Sequence, residues 1–235
     1  MSSQAKIGKR QSKITHMSRI IVLLGAPGAG KGTQARLLQE RLKIPQISTG
    51  DIFRSLAQSE TPLAEEVKAV QAAGKLISDD LVIRVVRERT TQEDCKNGYI
   101  LDGFPRTPAQ AAMLEELAAQ RGKKIVAIIV DVPLNLLEKR AVGRRSCPVC
   151  GEIYNVYFKP PKNDEKCDLH PEVQLVQRAD DTADKIKVRL ETYEEQTRPI
   201  INYYDRAKRL HRADGTKDPE SIYAEILRIV DSDGV

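Results

Sequence analysis

Two stretches of the 235-residue chain hold residue types and spacings that do chemistry. The first is GAPGAGKGT, residues 25–33, directly after the apolar run IIVLL and before a helical pattern. Glycines there let backbone N–H groups curl around phosphate oxygens, and a helix N-terminus adds positive potential. Gly28, Ala29, Gly30, Lys31, Gly32 and Thr33 form the cradle, with Lys31 long enough to reach β- and γ-phosphates. The usual hydroxyl directly after the lysine is replaced by Gly32, with Thr33 following. That argues against a generic GTPase or motor, in which this hydroxyl binds magnesium. The second stretch, CPVCGEIYNVYFKPPKNDEKCDLH (147–170), reads Cys-x2-Cys, sixteen residues, then Cys-x2-His. Cys147, Cys150, Cys167 and His170 offer four tetrahedral ligands with no open position. Such a closed site is structural and staples a segment with little core of its own. The ligand types suit zinc and iron alike.

These residues need a frame. Apolar, β-branched runs recur at 20–25, 45–49, 99–102, 125–132 and, more weakly, 210–214. The first and fourth are nearly continuous, as strands buried on both faces are. Helical patterns lie between them: one follows Gly30, one starts at Ser78 as N-cap, one opens with Thr107-Pro108, and one runs through residues 182–207 with a bend or break at Pro199. Alternating strand and helix predicts a doubly wound parallel α/β fold with five strands. Residues 48–77 and 141–177 do not fit the alternation and read as two inserted small domains. The expected division is a core of 17–47, 78–140 and 178–235, with 1–16 a disordered basic extension. Asp102 ends the strand YILD, where a carboxylate can serve a phosphate-bound metal.

Composition bounds the reading. Hydrophobic residues at 40% and charged residues at 30% describe a water-soluble domain, and no apolar run approaches the ~20 residues of a membrane span. Lys6, Lys9, Arg10 and Lys13 carry four of the five net positive charges, so residues 17–235 are nearly balanced and a nucleic-acid partner is not expected. No secretory leader is expected, and clustered cysteines favour a metal in a reducing, cytoplasmic setting. Cys95 reads as a small buried hydrophobe. Nothing predicts more than a monomer.

With STGDIFR (48–54), LDGFPRT (101–107), GRR (143–145) and RADD (178–181) added to GAPGAGKGTQ, the sequence from residue 19 to about 230 resembles the adenylate kinase family, in its long-lid, zinc-bearing bacterial form. The resemblance implies a P-loop kinase fold and the reaction Mg·ATP plus AMP giving two ADP. It implies AMP contacts at Thr49, Arg54, Lys75, Leu76, Ile77, Gly103, Phe104, Pro105, Arg106 and Gln110, with Gln110 on the adenine edge. It implies that Arg140 and Arg144 surround ATP, that Arg178 and Arg189 reach AMP and the phosphoryl group in transfer, and that Lys31, Arg106, Arg140, Arg144, Arg178 and Arg189 are catalytic. Ile153, Tyr154 and Lys217 resemble contacts to the ATP base, and Asp102 would bind Mg2+ through water. Residues 48–77 become an AMP-binding insertion and 141–177 a lid with structural Zn2+. The fourth zinc ligand varies in this family, often Cys or Asp, and here it falls on His170.

Two rivals come from other classes. A zinc-ribbon nucleic-acid module finds partial support in Tyr154, Tyr157, Phe158 and Lys159, but the balanced body opposes it. A GTPase lacks its Asn-Lys-x-Asp guanine reader here. Within the family class, the alternative is a kinase for another nucleoside monophosphate; Thr49 and Gln110 favour AMP.

Overall fold

A computed structural model describes residues 19–73 and 75–232 of the chain. The basic extension 1–16 lies outside the described residues.

Five parallel strands form the central sheet: β1 (Arg19–Leu24), β2 (Gln46–Ser48), β3 (Gly98–Asp102), β4 (Lys124–Asp131) and, for the fifth, a late strand at Leu210–Asp214. β1 lies at the centre because it pairs with both β3 and β4, Ile21 standing opposite Ile100 on one side and Val126 on the other. The apolar runs at β1 and β4 are buried almost throughout, as their unbroken hydrophobicity predicts. Alternate residues serve opposite faces. Ile20, Val22, Tyr99, Leu101, Ala127 and Ile129 pack with α4 (Asp79–Thr90) and α5 (Pro108–Gln120). Ile21, Leu23, Ile100, Val126 and Ile128 pack with α1 (Lys31–Leu42) and the C-terminal helix Pro219–Ser232. Helices on both faces of a parallel sheet are the doubly wound arrangement expected.

Between β2 and α4 come two short helices, α2 (Thr49–Leu56) and α3 (Pro62–Ala72). After β4 comes α6 (Leu134–Val142), then a small antiparallel ribbon of β5 (Arg144–Ser146) and β6 (Ile153–Asn155). The chain returns through α7 (Ala183–Thr192), a π-turn at Tyr193–Thr197 and α8 (Pro199–Arg206) to the last strand, β7 (Leu210–Asp214), and to α9 (Pro219–Ser232).

Ser78 stands at the N-cap of α4 as expected, although its side chain makes no capping bond. The helical run expected to bend or break at Pro199 does so, through a π-turn just ahead of the proline. Helices α6 and α9 were not anticipated. α9 is readable in retrospect: Asp218 Oδ1 accepts from the backbone N–H of Glu220 and Ser221, and Ile222, Ile226 and Val230 recur on one face.

Candidate active site

The site lies where the carboxyl ends of β1, β2 and β3 open, the usual ligand crevice of a doubly wound sheet. β1 ends at Leu24, and the glycine loop carries the chain to Lys31, the first residue of α1. No side chain caps that helix, so its first N–H groups are free for an anion. Gly28 has φ 86°, and a Cβ there would sit 2.4 Å from the Leu137 carbonyl oxygen of α6. Only glycine fits this turn.

The Lys31 ammonium folds back over the loop and donates to the carbonyls of Gly25 (2.7 Å) and Ala26 (3.0 Å). Burial, then the guanidinium groups of Arg106, Arg189 and Arg144, depress its pKa to about 8, with Asp102 opposing. Asp102 ends β3, accepts from Gln46 Nε2 at 3.4 Å, and has an Oδ2 only 3.4 Å from where a Cβ on Gly32 would stand. The strand-end carboxylate therefore abuts the phosphate loop.

Two hollows meet here. One, of about 560 Å³, is lined by Lys31, Gly103, Pro105, Arg106 and Arg189, with Thr192 and Thr197 from the π-turn region. The other, of about 410 Å³, is lined by Thr49, Lys75, Leu76, Ile77, Gly103, Arg106 and Gln110. Leu76, Gly103 and Arg106 belong to both. Gly103, at φ 80°, lets the wall run close: a Cβ would stand 2.9 Å from Arg106 Nη2 and 3.0 Å from Thr49 Oγ1. The Gly103 carbonyl accepts from Thr49 Oγ1 and from Arg106 Nε, both at 2.8 Å. Phe104, fully buried, anchors this loop in the core. Burial and then Arg189 lower the Arg106 pKa to about 10, with Asp102 and Asp180 opposing.

The remaining arginines, Arg140 apart, are held by carboxylates. Asp181 is fully buried and takes Arg144 in a bidentate pair (2.7 and 2.6 Å) together with Arg189 Nη1 at 3.0 Å. Asp180 takes Arg189 at 3.1 Å. Asp51 on α2 pairs with Arg54 and lies 3.7 Å from Arg178. Burial and then Arg144 bring the Arg178 pKa to about 10. Arg140 donates to the Gly215 carbonyl at 2.7 Å, and burial lowers its pKa. These carboxylate anchors escaped the motif reading because Arg144 and Asp181 lie 37 residues apart. Two of the expected base contacts have their side chains engaged within the protein. The Tyr154 ring is buried, its hydroxyl accepting from Asp168 N–H at 2.9 Å and lying 3.6 Å from Cys167 Sγ. Lys217 gives its ammonium to Glu225 at 2.9 Å. Ile153, beside Tyr154 on β6, is half-buried.

The ligand atoms of Cys147, Cys150, Cys167 and His170 all lie within 4.8 Å of one another. Cys150 Sγ to Cys167 Sγ is 3.8 Å, as is Cys167 Sγ to His170 Nδ1. Zn–S bonds of ~2.3 Å at tetrahedral angles span ~3.8 Å between sulfurs, so the four are compatible with a zinc site and too far apart for a disulfide. Burial opposes ionisation of Cys167, but the Tyr154 hydroxyl and His170 outweigh it and bring the thiol to about 6.

A family model described as adenylate kinase matches residues 23–209. Among curated proteins, the chain is 47% identical over 214 residues to an adenylate kinase of Clostridium perfringens (strain SM101 / Type A), spanning 91% of this chain and 99% of that one. It is 46% identical over 212 residues to an adenylate kinase of Nitrosococcus oceani, with 90% and 98% covered. An adenylate kinase of Clostridium tetani is 46% identical over 211 residues, with 89% and 97% covered.

Proposed function

The chain belongs to the adenylate kinase family, a family of phosphotransferases acting on ATP, AMP and ADP, and from that premise we propose how its residues divide the work. The larger hollow takes the ATP phosphates and the smaller takes AMP. The observation that carries this is Arg106: it lines both hollows, with Lys31 beside it in one and Gln110 in the other.

ATP places its phosphates on the N–H groups of residues 28–33, and Lys31 swings from the Gly25 and Ala26 carbonyls to the β- and γ-oxygens. Arg140, Arg144 and Lys217 complete the ATP side, with Ile153 and Tyr154 supporting it from the lid. AMP lies on Thr49, Lys75–Ile77 and Gly103–Pro105, its phosphate taken by Arg54, Arg106, Arg178 and Arg189 and its adenine edge read by Gln110. An AMP phosphate oxygen, already anionic near neutral pH, attacks the γ-phosphorus. The new P–O bond forms as the bond to the β–γ bridging oxygen breaks, leaving ADP on both sides. No strong base is needed, so catalysis rests on alignment and on charge. Guanidinium forks suit this because they meet phosphate oxygens bidentately.

Asp102 would hold magnesium through water beside Gly32, and the ion would neutralise the polyphosphate. Cys147, Cys150, Cys167 and His170 would hold a structural zinc, which supplies cohesion to the lid and no step of the reaction. In this reading residues 48–77 form the AMP-binding insertion and 141–177 the lid, closing over the core segments 17–47, 78–140 and 178–235 to exclude water. The protein works on free nucleotides, as a cytoplasmic monomer. The nearly balanced charge of residues 17–235 supports free nucleotides over nucleic acid as substrates.

The test is coupled ADP formation with ATP and each of the nucleoside monophosphates in turn. AMP should be preferred by a wide margin. Equal or faster turnover of uridine or cytidine monophosphate would replace this reading with that of another monophosphate kinase.

A further inference from the structure

Gln110 is fully buried apart from the face it shows to the smaller hollow, and its amide is held at both ends. Its Oε1 accepts from the Arg106 backbone N–H at 2.8 Å, and its Nε2 donates to Asp79 Oδ1 at 2.6 Å. A backbone N–H only donates and a carboxylate only accepts. The amide therefore has one orientation: turned by 180°, it would set N–H against N–H and oxygen against carboxylate. The carboxylate is itself pinned. Thr107 Oγ1 donates to Asp79 Oδ2 at 2.9 Å while accepting from the Gln110 backbone N–H at 3.2 Å. Asp79 is the first residue of α4 and does not line the hollow.

We propose that Asp79 is a specificity-determining positioning residue that selects 6-amino over 6-oxo purines by fixing the Gln110 amide. The inference rests on Gln110 facing the base. Each end of a primary amide has two hydrogen-bonding positions, and the protein takes one at each end. One acceptor and one donor remain, in fixed order. An adenine edge needs just that pair: its 6-amino group donates and its N1 accepts. A hypoxanthine or guanine edge presents the reverse, an O6 acceptor and an N1–H donor. It would fit only the turned amide, which Asp79 forbids. The Arg106 N–H opposes the turn as well, but as part of the backbone it is common to any side chain at that position. Asp79 is the part of the lock that a substitution removes.

Asp79→Asn tests this, since asparagine can present either a donor or an acceptor to Gln110. The substrate pair is AMP and inosine monophosphate, which differ at this edge alone. The readout is the ratio of their kcat/KM values, with Gln110→Ala measured in parallel. The AMP:IMP ratio should fall by about tenfold or more in Asp79→Asn, AMP losing and IMP gaining, while the KM for ATP stays unchanged. An unchanged ratio in Asp79→Asn alongside a collapsed ratio in Gln110→Ala overturns the role of Asp79 and leaves Gln110 as the reader. Unchanged ratios in both variants overturn the Gln110 reading and this inference with it. Equal losses on both substrates in Asp79→Asn reduce Asp79 to a structural role and also overturn the proposal. Asp79→Ser, which keeps a favoured residue at the helix start but imposes no acceptor, carries the same expectation if the asparagine variant melts below assay temperature.

Discussion

The sheet of this molecule and the segment proposed as its lid are packed very differently. The sheet packs two large apolar clusters, one on each face, built from strands that are buried on both sides. The segment from Arg144 to Val176 has an apolar cluster of only Cys147, Tyr154, Cys167 and Leu175, with Val173 against it. Two of those four are candidate metal ligands, and a third, Tyr154, touches one of them through its hydroxyl. Meanwhile Val149, Val156, Tyr157, Phe158, Leu169 and Val176 stay exposed. Hydrophobic burial is roughly proportional to area removed from water, so that term is large for the sheet and small for this segment. The difference is what the proposed zinc would make up for: a cover with little core of its own would draw its cohesion from four ligand atoms.

The sharpest break of this comparison is metal removal. Structural zinc contributes on the order of 10–16 kcal/mol of apparent binding free energy in small domains, far more than any one apolar contact. The protein should purify with about one zinc per chain. Chelation, or Cys147→Ser, should split unfolding into two transitions, with the lid lost first and the sheet melting near its original temperature, and turnover should fall with the lid. Added zinc should raise the lid transition in proportion to the logarithm of its concentration. A metal-free protein with one unchanged transition would mean that the lid has cohesion beyond its ligands.

The converse break is a cavity in the sheet. Leu114 is fully buried in the cluster that α5 shares with β1 and β3. Leu114→Ala should cost ~2–5 kcal/mol, lowering the midpoint of the sheet transition in denaturant. Zinc retention, read by release to a chromogenic chelator, should not change. If the cavity also loosens the metal, the two regions unfold as one unit and the contrast fails.

How far this contrast could be read from the sequence follows from the same physics. Buried parallel strands announce themselves locally, as continuous apolar runs, and so does a loop whose glycines must bend around phosphate. The metal cluster is legible because its ligands come in two close pairs, Cys147 with Cys150 and Cys167 with His170. What stayed hidden depends on residues far apart in the chain. Asp181 meets Arg144 from 37 residues away, Asp51 approaches Arg178, and Asp79 holds Gln110. Nothing in the neighbourhood of an isolated aspartate says which distant arginine or amide it will meet. Tyr154 was legible as a position, while its burial and its hydrogen bond from Asp168 N–H were not, because they too depend on residues more than ten positions away.

The third prediction asks whether the core half of the site is prepared before any ligand arrives. Lys31 sits at about 8 because burial and then the gathered arginines disfavour its charge. Bound polyphosphate would favour that charge, so the pKa should rise on binding. The sign follows: ATP affinity is fully present below pH 8 and weakens as pH rises through 8, where the free protein loses the proton first. At pH 8 binding should take up roughly half a proton, by linkage, measurable by calorimetry in two buffers of different ionisation enthalpy. Lys31→Met should abolish the uptake and lower turnover by ~100-fold or more with folding nearly unchanged. No net uptake at pH 8 would mean that the ammonium is charged throughout and that the core site is not poised in this way.

The smallest effect expected is at the seam between the two regions. Arg36 on α1 donates to the Gly151 carbonyl at 2.9 Å and to Glu152 Oε2 at 2.8 Å, so one core side chain touches the loop that follows Cys150 directly. Glu152 also receives Lys159 from within the lid, so its carboxylate is shared between the two regions. Both side chains of the seam pair remain partly open to water, at 29% and 23%, and a pair in that setting contributes ~0.2–1 kcal/mol. Such a contact would bias the position of the proposed lid without fixing it, as a cover that opens and closes would require. Arg36→Ala should therefore leave the chemistry and the zinc in place, shift melting by no more than ~1 kcal/mol equivalent, and alter the KM for ATP by a few-fold at most. A double-mutant cycle of Arg36→Ala with Glu152→Gln should give a coupling in the same range, shrinking as salt shortens the reach of exposed charges. A coupling well above that range, insensitive to salt, would show that the pair is buried in the working enzyme and that sheet and lid are joined more tightly than their separate cores imply.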